Sequence, residues 1–169
     1  MSEQVVVDSL HFARNGETLR GKVAVAELSR LVDVLYSDKG MLEYTLSGGI
    51  NQHGKPVLHT HVKGELQLCC QRCMEAMVYG LDSRSDLVLA RDETELAQMD
   101  EQEEDGEDAI LADPKLNVLA LVEDEVLLDL PMVPRHASGK CQPKNADKLD
   151  GVENNPFAVL AKLKQEQKD

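Results

Sequence analysis

The four cysteines of this 169-residue chain are the residues whose type and spacing suggest chemistry most directly. Cys70 and Cys73 form a Cys-x2-Cys pair with Cys69 just before it, while Cys141 lies far downstream and follows His136. Thiolates and imidazoles are preferred zinc ligands, and a structural zinc site takes four ligands in a tetrahedron. If the two places meet in the fold, Cys70, Cys73, His136 and Cys141 form a metal site, with Zn2+ as the expected ion.

Two other interpretations of the cysteines stay open. Reduced thiols can pack as small apolar groups near a tight turn, and a Cys-x-x-Cys pair can also be redox-active. A redox pair normally opens a helix whose N-terminus lowers the thiol pKa, whereas the residues after Cys73 alternate like a strand. Cys69 is one residue out of phase with Cys70, so we expect its side chain to face away from the site.

A predicted hairpin carries the cysteines at its tip. The clearest strand in the chain runs from Val57 to Leu68, and a second strand begins at Ala76 and continues toward Leu89. Gly80 is a candidate bulge within it. Strict alternation in the first strand predicts one dry and one wet sheet face. The dry face is expected to hold Leu58, Thr60, Val62, Leu66 and Leu68, and the wet face His59, His61, Lys63, Glu65 and Gln67.

Two amphipathic helices are predicted to pack against this sheet. The first runs from about Val23 to the turn at residues 37–40, with apolar residues at helical spacing. The second starts at Asp113, an N-cap residue followed by Pro114, and ends before Pro131. The first apolar stripe contains Leu28, Leu31, Val32 and Leu35. The second contains Leu116, Leu119, Ala120, Val122, Val126 and Leu127, with Glu123, Asp124 and Glu125 in water.

Three shorter elements complete the expected fold. Val5 to Val7 is compatible with a short strand, Met41 to Ser47 is predicted as another, and Asn155-Pro156 opens a short C-terminal helix that ends near Lys164. The predicted fold class is α+β: a central antiparallel sheet, open or barrel-like, packed by two amphipathic helices with the C-terminal helix docked outside. Residues 1–169 are expected to form a single domain.

The net charge of −13 is concentrated in one stretch of the chain. Ten of the 31 acidic residues lie between Asp92 and Asp108, a stretch without a base. Outside it, 21 acids are balanced by 18 bases, so the folded body is nearly neutral. Because like charges repel and offer little to bury, residues 92–112 are predicted to form an acidic, disordered loop.

Other features narrow the class of protein. No apolar run approaches the roughly 18 residues of a spanning helix, and the N-terminus does not resemble a signal peptide. We therefore expect a cytoplasmic protein with reduced thiols and no membrane partner. Nucleophile-elbow and phosphate-loop patterns are missing, so we expect neither enzymatic activity nor a small-molecule substrate, and no DNA partner. His59 and His61 lack an evident acidic or thiol neighbour, which favours a solvated strand face.

Three stretches together resemble the YceD family, the large ribosomal RNA subunit accumulation proteins. They are Cys70-Gln71-Arg72-Cys73; residues 122–136 with Cys141, which include Leu-Pro-x-Val-Pro-x-His; and residues 155–164, which begin Asn-Pro-Phe. The resemblance covers about residues 65 to 164. It implies a non-enzymatic cytoplasmic role in the synthesis, processing or stability of 23S ribosomal RNA. Cys69 is not part of the family pattern.

The partner implied by this role is pre-large-subunit rRNA, or else a basic ribosomal protein or assembly factor. A direct RNA binder normally shows a basic footprint and stacking aromatics, but this chain has two Phe, three Tyr and an acidic balance. The acidic stretch favours a basic protein as partner, unless it only keeps the protein soluble. The alternative function is a zinc- or thiol-handling protein, such as a metal-dependent sensor or carrier, with an indirect effect on ribosomes.

Overall fold

The computed structural model describes residues 5–101, 108–137 and 140–141 of the chain. Its strands are β1 (Val6–Val7), β2 (Thr18–Ala24), β3 (Met41–Ile50), β4 (Pro56–Cys69), β5 (Ala76–Ala90), β6 (Asp108–Leu111) and β7 (Leu116–Asn117). Its helices are α1 (Ser9–Arg14), α2 (Ser29–Val32), α3 (Glu93–Glu101) and α4 (Val118–Asp129). Strands and helices are mixed along the chain, and the predicted α+β class is confirmed.

Five of the described strands form one sheet in the order β2-β3-β4-β5-β6. The first four are antiparallel to their neighbours, and β6 runs parallel to β5. Strands β2 and β6 lie at the edges, so the sheet is open and the barrel-like option is wrong. The short strands β1 and β7 pair separately, which confirms the short strand expected near the N-terminus.

The β4–β5 hairpin is the longest feature of the sheet and follows the sequence pattern closely. Pairing runs without interruption from Cys69–Ala76 to Val57–Val88. The predicted bulge at Gly80 is wrong, because Gly80 pairs directly with Glu65. The predicted dry and wet faces of β4 are confirmed by burial of its alternate residues.

The hydrophobic core lies between the inner face of the sheet and helices α1 and α4. Phe12 of α1 and Val122 and Val126 of α4 are buried in the same cluster as Leu58 and Leu66 of β4. Because one face of each strand and one face of each helix is apolar, stacking them buries both at once. This core fixes the end of α4, and with it the start of the segment that leads to His136.

The predicted helix from Val23 is mostly wrong. Strand β2 continues through Ala24, a 3-10 turn covers Val25–Glu27, and the α-helical part is only Ser29–Val32. β-branched residues at the start favour the extended conformation. The short helix is capped from elsewhere, since a Glu123 carboxylate oxygen accepts the N–H of Arg30 at 2.7 Å.

The sequence pattern did not reveal α1, although it carries a standard start signal. Asp8 is the N-cap, and its carboxylate accepts the backbone N–H of His11 at 2.9 Å. An Asp before Ser-Leu-His-Phe is a recognisable cap. The helix is six residues long, too short for a clear apolar period.

Helix α4 is present, but its start and its buried face differ from the prediction. Its N-cap is Asn117, whose side chain accepts the N–H groups of Leu119 and Ala120, whereas Asp113 accepts the N–H of Lys115 in a local turn. Glu123 and Glu125 are buried rather than in water. The inward position of Glu123 follows from its hydrogen bonds to α2. The predicted end before Pro131 is confirmed.

The predicted acidic, disordered loop is wrong for most of its described part. Residues Glu93–Glu101 form α3 and Asp108–Leu111 form β6 beside β5. The Asp92 carboxylate accepts the N–H of Glu95 at 2.8 Å, and acids in a first helical turn are favourable to the helix dipole. Residues 102–107 and the predicted C-terminal helix lie outside the described residues. No described helix is long and apolar enough to cross a membrane.

Candidate metal centre

The tip of the β4–β5 hairpin is a tight six-residue turn that contains Cys70 and Cys73. The N–H of Cys70 donates to the carbonyl of Glu75 at 2.9 Å, and the N–H of Met74 donates to the carbonyl of Cys70 at 2.8 Å. Met74 has a φ of +61°, a left-handed conformation that is uncommon outside glycine. These hydrogen bonds close the turn and hold Cys70 and Cys73 on the same short stretch of backbone.

The segment after α4 is held against this turn. Its first anchor lies at the end of α4 itself, where the hydroxyl of Tyr79 on β5 donates to the carboxylate of Asp129 at 2.9 Å. Its second is the N–H of Gln71, which donates to the carbonyl of Pro134 at 2.9 Å. Because the proline ring restricts its own φ and the conformation of the residue before it, this segment enters the site with few alternative conformations.

The four side chains predicted as ligands meet in space. The candidate ligand atoms of Cys70, Cys73, His136 and Cys141 all lie within 4.8 Å of one another. Sγ of Cys70 is 3.7 Å from Sγ of Cys141, and Sγ of Cys73 is 3.4 Å from Nδ1 of His136. Around tetrahedral zinc, these edges should be about 3.8 Å for S···S and about 3.6 Å for S···N. The donor types and separations therefore fit a zinc ion.

The orientation of His136 also suits a metal ligand. Its Nε2 lies 3.2 Å from the carbonyl oxygen of Ala76 and can donate its proton there. That hydrogen bond leaves the lone pair of Nδ1 directed into the cluster, beside Sγ of Cys73. Ligating histidines usually donate their second ring nitrogen to a backbone carbonyl or carboxylate in this way.

None of the four cysteines forms a disulfide, and three of them belong to the cluster. All four are free thiols, and 3.7 Å between the sulfurs of Cys70 and Cys141 is far longer than the ~2.05 Å of a disulfide. Cys69 does not belong to the cluster; its Sγ lies 4.0 Å from the carbonyl oxygen of Cys70. The four predicted residues are thus together, while their role as metal ligands remains a prediction.

The thiols in the cluster differ in acidity. Burial by itself would raise the pKa of Cys70, but backbone hydrogen bonds from Cys73, His136 and Arg72 lower it to about 5. Burial raises the pKa of Cys141 to about 11, and the neighbouring thiols of Cys73 and Cys70 add to this effect. The thiolate is the metal-binding form of cysteine, so these backbone N–H groups favour the form of Cys70 that a metal would need.

His59 and His61 have acidic partners that the sequence pattern did not reveal. Nδ1 of His59 lies 2.6 Å from the Asp86 carboxylate, and Nε2 of His61 lies 2.7 Å from that of Asp82. The expectation that they lack an acidic neighbour is therefore wrong. The hairpin register could have revealed one pair, since His59 is opposite Asp86 across β4 and β5. Neither histidine belongs to the metal-ligand group found among the described residues.

The fold and the cluster together define a class: a small α+β protein in which a Cys3His group links a hairpin tip to the segment after the last described helix. A family model described as "Large ribosomal RNA subunit accumulation protein YceD" matches residues 58–164. This match spans the hairpin, α4 and all four cluster residues, and covers more than half of the chain. The chain therefore belongs to the YceD family, and the resemblance found in its sequence is confirmed.

A full-length relative agrees with this assignment. The protein named "Large ribosomal RNA subunit accumulation protein YceD" of Haemophilus influenzae (strain ATCC 51907 / DSM 11121 / KW20 / Rd) is 29% identical over 174 residues, which cover 95% of each chain. The similarity thus extends over the N-terminal strands as well as the cysteine segment. No solved structure matches the chain significantly.

Proposed function

We propose that this protein is a non-catalytic ribosome biogenesis factor that supports the synthesis, processing or stability of 23S rRNA in the cytoplasm. The observation that carries this proposal is the family match over residues 58–164, which includes the sheet hairpin, α4 and the cluster. The printed name of the relative refers to accumulation of the large ribosomal RNA subunit. Membership of the same family over residues 58–164, and similarity to this relative over 95% of the chain, support the same role here.

We further propose that Cys70, Cys73, His136 and Cys141 hold one structural zinc ion. Four protein ligands complete a tetrahedral zinc shell, whereas catalytic zinc sites keep one position open for water or substrate. The two pairs of ligands come from segments more than 60 residues apart, so an ion here would tie the hairpin tip to the end of α4. A closed shell of this kind also supports a non-enzymatic role.

The partners proposed for this role are pre-large-subunit rRNA or a basic ribosomal protein or assembly factor. The acidic side chain of Glu93, at the start of α3, is exposed and complementary to a basic protein. The charge of the chain as a whole suits this partner. Contacts of either kind would act on rRNA through binding, without a chemical step.

A zinc- or thiol-handling protein is the competing function, and the observations favour it less. A carrier must release its metal readily, but Cys70 is fully buried and His136 is fixed by its bond to Ala76. The family description refers to ribosomal RNA and not to metal. A sucrose gradient separates the two functions: a biogenesis factor comigrates with pre-large-subunit particles, whereas a carrier stays at the top and exchanges zinc quickly.

Depletion of the protein in cells tests the proposal. We expect 23S rRNA to fall relative to 16S rRNA, and a wild-type copy to restore the ratio. Cys70→Ser should fail to restore it, while Cys69→Ser, which alters the neighbouring thiol outside the cluster, should succeed. An unchanged 23S:16S ratio after depletion would overturn the proposed role.

A further inference from the structure

The cysteine head differs in charge from the rest of this acidic protein. We define the head as residues 70–75 together with the described part of 131–141. It contains three bases, Arg72, Arg135 and Lys140, and a single acid, Glu75. All three bases are exposed. None makes an ion pair or a side-chain hydrogen bond with another residue in the described part of the chain.

The fold brings these three bases around one cluster. The hydrogen bond from Gln71 to Pro134 places the residues that follow them, Arg72 and Arg135, on adjacent stretches of backbone. Lys140 directly precedes Cys141, whose sulfur lies 3.7 Å from that of Cys70. Residues far apart in sequence thereby supply positive charge to one small surface.

Large apolar side chains are exposed on the same surface. Met132 is 98% exposed, Met74 is 64% exposed and Val133 is 52% exposed. Met74 keeps its outward position with a left-handed backbone, a conformation that costs an ordinary residue of the order of 1 kcal/mol. Strain and exposed apolar groups beside unpaired cations are typical of recognition surfaces.

A second surface with several lysines lies on the wet face of the sheet, and it is less suited to bind a negatively charged partner. A groove of about 610 Å3 there is lined by Lys22, Lys39 and Lys63. Lys22 is paired with Glu43, and Lys63 lies 3.5 Å from the Asp82 carboxylate. Its positive charge is therefore largely compensated by carboxylates in direct contact. The three bases of the head have no such contact among the described residues, although Glu75 and a zinc ion held by three thiolates, with its net charge of −1, reduce the net charge there to about +1.

We propose that the cysteine head binds RNA directly, with Arg72, Arg135 and Lys140 on backbone phosphates and Met74 and Met132 against exposed bases. This inference rests on the proposed role in 23S rRNA accumulation and names the surface that carries it. The chain outside the head has a net negative charge, which disfavours contact with phosphate there and favours approach by way of the head. The composition of the whole chain hides this surface, because it averages the basic head with the acidic rest of the protein.

Binding of a fluorescein-labelled single-stranded RNA fragment of 23S rRNA to the full-length, zinc-loaded protein tests this inference. Three phosphate contacts predict that log K falls with log salt concentration with a slope of about −2. The triple variant Arg72→Glu, Arg135→Glu, Lys140→Glu should bind at least tenfold more weakly. Arg135→Gln alone should reduce the magnitude of the slope by about 0.7.

The matched control changes the same number of charges elsewhere. Arg14, Arg20 and Lys115 are exposed and also lack ion-pair partners among the described residues. Their triple substitution to Glu should leave affinity within about threefold of wild type. Zinc content and melting temperature, measured for both triple variants, establish that each remains folded.

Three outcomes would overturn the inference: no RNA binding by the wild-type protein, equal weakening by both triple variants, or binding of a basic ribosomal protein by the head in place of RNA. The cellular 23S:16S ratio separates this failure from that of the proposed function. If depletion lowers the ratio but the head variant restores it, the role stands and the RNA surface is wrong. If depletion has no effect, the role itself is wrong.

Discussion

Two short polar segments pack beside the same sheet, and different kinds of interaction hold them in place. The cysteine head is positioned by thiols and an imidazole that converge within 4.8 Å. The acidic arm, which we define as residues 92–101 with 108–111, is positioned by an N-cap, ion pairs to Glu95 and four residues of parallel pairing with β5. On the proposed function, the head depends on a bound ion in addition to its backbone contacts, whereas the arm depends on the rest of the chain alone.

This difference shows why net charge is a poor guide to local order. The arm contains many like charges, yet a single carboxylate, Glu95, accepts hydrogen bonds from Lys55 at 2.6 Å and from the Arg91 side chain at 2.9 Å. Glu95 is only 14% exposed in its side chain, so these bonds are partly shielded from solvent. Two cations, Lys55 and Arg91, thus hold the start of an acidic helix against the sheet side of the protein.

Removing a thiol from the head should have the largest effect. Cys70→Ser is expected to lose the bound zinc and to lower the melting temperature by about 10 °C or more. A structural zinc site contributes ~10–16 kcal/mol in small zinc-dependent folds. In a protein of this size, a loss of only about 3 kcal/mol would already lower the melting temperature by about 10 °C. Metal analysis and calorimetry measure both quantities.

Cys69→Ser is the control for that experiment, because it changes the adjacent thiol outside the cluster. It should retain one zinc per chain and a wild-type melting temperature. Equal losses in the two variants would mean that the head, like the arm, is held by contacts within the chain and not by a metal, and the contrast between the segments would disappear.

In the arm, removing the central carboxylate should have a moderate effect. Glu95→Ala is expected to lower the free energy of unfolding by about 1–2 kcal/mol, because the carboxylate loses three hydrogen bonds, from Lys55 and from the side chain and backbone N–H of Arg91. Glu93→Ala, on an exposed position of the same helix, should change it by less than ~0.5 kcal/mol. Urea denaturation measures both. Identical values for the two variants would indicate that the arm is not anchored at Glu95.

Acid should weaken the arm through the same residue. Hydrogen bonds from Arg91 and Lys55 lower the pKa of Glu95 from 4.5 to about 2. Because the folded pKa is the lower one, its stabilisation is complete above pH 4.5 and is lost as pH falls toward 2. Unfolding measured across this range should be steeper for wild type than for Glu95→Gln; parallel curves would contradict the assignment.

The smallest expected effect concerns the anchor between α4 and the head. Tyr79→Phe removes the hydrogen bond from the Tyr79 hydroxyl to Asp129 and should cost about 1 kcal/mol or less. Zinc content should stay unchanged, because the four donor atoms are untouched. Loss of zinc from this variant would show that the head is organised by α4 rather than by its own ligands.

The parts of this molecule that sequence predicted are those governed by local pattern or by ligand chemistry. Alternation predicted β3 and β4, and the types of four residues predicted the cluster although its halves are distant in sequence. The failures involve contacts between remote residues. The cap of α2 comes from Glu123, 93 residues after Arg30, and α3 is anchored by Lys55, 40 residues before Glu95. No local pattern contains either partner.

The head is proposed to be a closed zinc site with three sulfur ligands and one nitrogen ligand. X-ray absorption at the zinc edge of the purified full-length protein tests it most directly. The predicted spectrum has three sulfurs at about 2.3 Å and one nitrogen at about 2.0–2.1 Å, and Cys141→Ser should reduce the sulfur count to two. A zinc shell of oxygen and nitrogen alone, or metal-free protein from zinc-replete cells, would contradict it.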